Sequence, residues 1–154
     1  SRSVGRTSEY VAGVQMYVDH PVLGVGLGNY PSRYLEYSEQ IGLDTRREDR
    51  APHSLYLQFA SEFGAIGLAW LVMVIAVAIV GLRRSRRAAA EHGDRESAAT
   101  LGAIEIAFIG FLAFSLFRHI ALHRYFFIPI ALALAAPGAL RPRPAMLGVT
   151  RRAM

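Results

Sequence analysis

His53 is the side chain in this sequence best placed to do chemistry. It follows Pro52, and an apolar helical periodicity begins directly after it, so it should stand at or near the amino end of a helix. At about 100° per residue, Ala60, Gly64 and Gly67 would fall within roughly 40° of His53, with Glu62 on the opposite side. A strip of small residues headed by an imidazole lets another helix, or a lipid chain, approach the backbone closely beneath the ring. The helix amino terminus and nearby arginines disfavour imidazolium, which leaves the ring neutral and able to accept a proton, the form a general base requires. Taken alone, a histidine near a membrane interface is more often a structural hydrogen bond or an anchor. A second pair, His119 and His123, stands four residues apart beside Arg118 and Arg124, but no carboxylate is nearby, and interfacial anchoring accounts for them without a metal. Gly24, Gly26 and Gly28 lack both the preceding strand and the spacing of a nucleotide loop, so they read as a tight turn packing under the site.

The elements that must position these residues are helices. Tyr10, Val14, Tyr17 and Val18 repeat at helical spacing until His20-Pro21, which predicts an amphipathic helix over 8–19. After the glycine loop, Asn29 can cap a helix over 30–41 with Pro31 in its first turn and Gly42 just past its end. Tyr30, Tyr34 and Tyr37 on that helix read as core first and as a platform for sugar stacking second. Residues 43–52 are polar and carry Arg46, Arg47 and Arg50.

Beyond residue 63 the chain turns apolar. Hydrophobic residues make up 53% of the sequence, above the roughly 45–50% of soluble proteins. Gly64 to Leu82 has no charged residue and is long enough to cross most of a ~30 Å hydrocarbon core. Residues 98–117 form a second span interrupted by Glu105, near enough to the adjoining Arg-rich loop to reach the interface. A third, 125–140, is shorter and holds Pro129 and Pro137. The expected fold is therefore all-α, an integral membrane bundle of about three transmembrane helices within 64–140. An extracytoplasmic helical loop region over 1–63 precedes it, and a cytoplasmic tail over 141–154 follows.

All 17 basic residues are arginine, and Arg83, Arg84, Arg86 and Arg87 follow an apolar span directly. Positive charge in that position marks the cytoplasmic end of a transmembrane helix and argues against nucleic acid as the partner. The rule places 1–63 outside together with the short turn 118–124, and the arginine-bearing tail inside. Cysteine is absent, so disulfides and thiolate metal sites are excluded. Ser1 rather than Met begins the sequence, and no secretory leader precedes the first motif, so the chain is expected to be a fragment whose further helices lie upstream.

Two motifs give the sequence a family resemblance. One is His53-Ser54, nine residues, then Gly64-Ala65-Ile66-Gly67; the other is Gly5-Arg6, a helix, and His20-Pro21-Val22-Leu23-Gly24-Val25-Gly26-Leu27-Gly28-Asn29-Tyr30. Both are similar to motifs of the O-antigen ligase superfamily of membrane glycosyltransferases, which includes ligases, some polysaccharide polymerases and protein O-oligosaccharyltransferases. The resemblance covers roughly residues 5–82. It implies transfer of a glycan from a polyprenyl-pyrophosphate carrier to an acceptor hydroxyl on the outer face of the bacterial inner membrane, without a metal or cofactor. His53 would take the acceptor proton, and Arg6 is similar to the arginine thought to contact the pyrophosphate. Arg46, Arg47 and Arg50 are further candidates for phosphate contact, because a guanidinium stays charged and pairs its planar donors with phosphate oxygens. Ser54, Gly64, Gly67, Gly24, Gly26 and Gly28 are the structural positions of the motifs. The acceptor could be a glycolipid, a growing glycan or a protein, and this fragment is expected to be inactive alone. A membrane transport or assembly component without chemistry is the alternative of another class, and it would tolerate loss of His53.

Overall fold

The computed structural model describes the backbone of residues 2–42, 54–117 and 124–140, and the side chains of 7–40, 42, 54–117 and 126–140. Among these residues there are five helices and no strand: α1 (Arg2–Asp19), α2 (Tyr30–Ile41), α3 (Leu55–Glu91), α4 (Arg95–Phe114) and α5 (Arg124–Ala139). The chain is thus all-α, as its periodicities predict.

Helix α1 begins about six residues before the expected position, because Gly5 does not interrupt it. It pairs with α2 through a buried cluster of Ala12, Met16, Tyr30, Tyr34 and Tyr37. The Ser8 and Tyr34 hydroxyls lie 2.9 Å apart, and Tyr30 donates its phenol proton to the Glu9 carbonyl at 2.6 Å. Burial pushes the Tyr30 phenol well above its usual range, so it remains a donor. The three tyrosines are core residues of the α1–α2 pair.

Helix α3 outruns the expected span by nine residues, carrying Arg83 to Arg87 on its last turns, and only His92–Asp94 separates it from α4. Asp94 accepts the Ser97 N–H at 3.0 Å and caps α4; hydrogen bonds from Ser97 hold its carboxyl below the usual carboxylate range. Helices α3 and α4 are long and apolar enough to cross a membrane, whereas the apolar run of α5, Phe126–Ala139, is shorter. Only 17% of the apolar window of α3 and of α4 is buried inside the protein, where the core helix of a water-soluble domain would be mostly covered. Val72, Met73, Val77 and Ile106 point outward, and small residues such as Ala78, Ala133 and Ala136 let α3, α4 and α5 approach one another.

Glu105, the one charge within the second span, accepts from Arg83 Nε at 2.7 Å and from Arg86 Nη1 at 3.1 Å. The extension of α3 past its apolar run is what brings those guanidinium groups within reach. A carboxylate that would be costly to leave alone in apolar surroundings is matched by two half-exposed arginines at the charged end of the bundle.

Candidate functional site at a broken helix

Ser54 stands at the start of α3; His53, the residue before it, lies outside the described residues. Ser54 is extended (φ −155°, ψ 127°) and its hydroxyl accepts the Leu57 N–H, so the residue after His53 is the helix cap. The Leu55 N–H donates to the Ser115 carbonyl at 3.0 Å, and the Tyr56 hydroxyl to the Leu112 carbonyl at 3.1 Å. The carboxyl end of α4 is thereby joined to the amino end of α3.

A correction follows ten residues on. The strip of Ala60, Gly64 and Gly67 beneath His53 presumes one continuous helix, but Gly64 has φ 63° and ψ −158° and breaks α3 into two pieces across a kink. Helical reckoning from the start of α3 therefore ends at Phe63. Gly67 does not continue that face; a Cβ on it would overlap the Cβ of Phe63, whose ring stacks on Phe59 at 5.1 Å between centroids. Gly67 is small to accommodate this neighbour across the break.

A break in an apolar helix exposes backbone donors and acceptors that must be satisfied within the protein. The glycine loop does this with its own backbone. Val25 N–H donates to the Ser61 carbonyl at 2.8 Å and Gly26 N–H to the Glu62 carbonyl at 3.0 Å, which closes the end of the first piece. On the other side, Ala65 N–H donates to the Pro21 carbonyl at 2.8 Å and Ile66 N–H to the Val22 carbonyl at 3.4 Å, which closes the start of the second. Approach this close leaves no room for side chains. A Cβ on Gly64 would overlap the Val22 carbonyl, and one on Gly24 would overlap the Glu62 carbonyl carbon. Both residues also have positive φ, so glycine is required twice over. Gly26 and Gly28 shape the remainder of the loop, with φ 97° and 72°.

The structure thus brings the loop of Gly24, Gly26 and Gly28 against the break at Gly64, with Gly67 one turn beyond it, while Ser54 caps α3 ten residues before the break. His53, Arg46, Arg47 and Arg50 lie outside the described residues, as do His119 and His123. Arg6 is placed on α1 by its backbone, with its side chain also outside the described set. Among the described residues, no cluster of three or more His, Asp or Glu could hold a metal ion.

Sequence reasoning missed Glu62 as part of this site. Its carboxyl is buried and accepts from the Tyr30 N–H at 3.3 Å and from Gln58 Nε2 at 3.5 Å. Asn29, the expected cap of α2, has its amide turned away to the Val25 carbonyl at 3.0 Å and makes no side-chain cap. The available signal was a carboxylate two residues before a long uncharged run.

Beside the break lies an apolar groove of about 560 Å³. The loop contributes Leu23 and Leu27, α3 contributes Phe59, Phe63, Ile66, Gly67 and Trp70, and α5 contributes Phe126 and Phe127.

The family model described as O-antigen ligase matches residues 1–72, a stretch that takes in both motifs and the break between the two pieces of α3. A comparison with curated proteins finds no match.

Proposed function

From an amino-terminal part that matches the O-antigen ligase family, we propose that the chain carries the acceptor-activating part of a membrane glycosyltransferase using a polyprenyl-pyrophosphate glycan donor. The observation that supports this most is the joining of the two motifs: the loop of one closes the helix break of the other, ten residues beyond the His53-Ser54 cap. In the reaction, an imidazole nitrogen of His53 takes the proton of the acceptor hydroxyl as its oxygen bonds to the anomeric carbon of the donor sugar. The bond from that carbon to the pyrophosphate oxygen breaks, and polyprenyl pyrophosphate departs with the electron pair. Arg6, with Arg46, Arg47 and Arg50 as further candidates, is assigned to stabilise the negative charge that grows on the leaving group. The apolar groove beside the break suits a segment of prenyl chain, since its walls are almost wholly apolar and Trp70 alone among the lining side chains carries a hydrogen-bonding group. No metal or cofactor enters the reaction.

Arg6 and His53 must fail differently under this reading. Arg6→Ala is expected to weaken both donor binding and turnover, and Arg6→Lys to restore only part, because an ammonium keeps the charge without the bidentate fork. Donor binding and transfer, measured separately on membrane-inserted enzyme, check this; full recovery by lysine would remove the bidentate contact from the account. A transport or assembly component would show no transfer to lose.

The reading also fixes an orientation, with the His53 end of α3 outside the cytoplasm. Because the chain has no cysteine, cysteines introduced at Arg47 and Arg118 are expected to react with a membrane-impermeant maleimide in intact cells, and one at Arg86 to stay unlabelled. Labelling at 86 alone would put His53 on the wrong side for an extracytoplasmic glycan.

A further inference from the structure

We propose that Glu62 is a positioning residue, a long-range cap that fixes the amino end of α2 to the piece of α3 that starts beside His53. The residue is 1% exposed, and a carboxylate so placed is tolerable only when donors surround it. Those donors come from two directions. Tyr30 N–H, the first of α2, reaches Oε1 at 3.3 Å, and Gln58 on the same piece of α3 reaches Oε2 at 3.5 Å, while the Gly28 N–H adds a bond from the loop. The amino end of α2 favours negative charge through its unpaired N–H groups and its dipole. The main chain of the same residue takes part as well, for the Glu62 carbonyl accepts the Gly26 N–H at 3.0 Å. One residue therefore ties the loop and α2 to the end of the first piece of α3.

The consequence for the site comes from connectivity. Residues 43–53, which carry Arg46, Arg47, Arg50 and His53, join the end of α2 at Gly42 to the cap of α3 at Ser54. Gly42 and Ser54 keep their separation through the packing of α1 on α2 and on α3, and through Glu62, a direct polar contact from α3 to α2. A shift at that contact turns α2 on its tyrosine cluster and moves the Gly42 end.

The experiment rests on the proposed transfer reaction for one readout and is independent of it for the other. Glu62→Gln keeps an acceptor oxygen at full length for Tyr30 N–H, Glu62→Asp keeps the charge but falls one methylene short, and Glu62→Ala keeps neither. Per folded, membrane-inserted molecule, kcat should fall about 100-fold in the alanine and aspartate variants, the scale on which a misplacement of about 1 Å acts, and stay within a few-fold of wild type in the glutamine variant. The pH profile of the glutamine variant should match that of wild type. Spin labels at Gln40→Cys and Ala69→Cys, on α2 and on the second piece of α3, give the second readout. Their distance distribution should broaden in the alanine and aspartate variants and stay narrow with glutamine. Loss of transfer in Glu62→Gln equal to that in Glu62→Ala would show that the carboxylate acts through its charge and overturn the proposal. Unchanged kcat per folded molecule in all variants, or an unbroadened distance in Glu62→Ala, would overturn it too. Absence of transfer in wild type alone, with these variants carried in the full-length protein, would count against the glycosyltransferase reading and leave the label distances to decide the role of Glu62.

Discussion

Replacing His53 by alanine is expected to lower glycan transfer by 10²–10⁴-fold while donor binding survives, the range typical for loss of a positioned general base. An acceptor hydroxyl is a weak nucleophile while it holds its proton, so attack on the anomeric carbon needs a proton acceptor within hydrogen-bond reach. The residue after His53 is the cap of α3, and the amino end of a helix disfavours positive charge close to it. The assay is transfer from a polyprenyl-pyrophosphate glycan by folded, membrane-inserted enzyme, with donor binding measured separately. Near-normal turnover, or loss of donor binding as severe as in Arg6→Ala, would remove the base assignment and make His53 a structural or pyrophosphate-contacting residue.

Gly64→Ala is expected to be nearly as damaging as Gly64→Leu, although neither change touches a reacting group. The backbone at φ 63°, ψ −158° lies in a region essentially restricted to glycine, and forcing another residue into it costs on the order of 1–3 kcal/mol. Steric overlap adds to that cost. The new Cβ meets the Val22 carbonyl, which accepts the Ile66 N–H, and stands 2.8 Å from the Gly24 nitrogen, whose N–H donates to the His20 carbonyl. No side chain can swing aside to make room, so the loop must leave, and four backbone hydrogen bonds lose their geometry in apolar surroundings. Folded yield, thermal stability in detergent and transfer should all fall. Gly67→Leu should impair the enzyme through Phe63, which a side chain at 67 would displace from its stack on Phe59. Wild-type stability and turnover in Gly64→Ala would mean that the break is dispensable.

Much of this protein follows from local sequence rules. The apolar runs after Gly64 announce membrane-length helices because hydrocarbon thickness sets the number of residues required. Pro31 and Gly42 bracket α2, and Gly42 closes it at φ 68° as a helix end requires. The Ser54 cap is local too, since a hydroxyl three residues before a free N–H satisfies it wherever the helix points. The spacing of Ser54, Gly64, Gly67 and the loop glycines marks them as motif positions, and the loop and the break do meet in the fold. His53 and the arginines at 46, 47 and 50 remain assignments from sequence and family resemblance, outside the described residues.

Tertiary structure alone decided how those parts meet. Helical periodicity carries an angle through Gly64 as if the rod were unbroken, because glycine can continue a helix as well as end one and its sequence neighbours do not distinguish the two. The break exists because Pro21, Val22, Val25 and Gly26 supply the donors and acceptors that its two ends lack. Backbone N–H and C=O groups are the same in nearly every residue, so such pairing leaves no side-chain signature for the sequence to display. Glu62 escaped notice for a related reason: it caps a helix that begins 32 residues earlier in the chain, and the preference of a helix start for a carboxylate depends on proximity in space, which the fold creates.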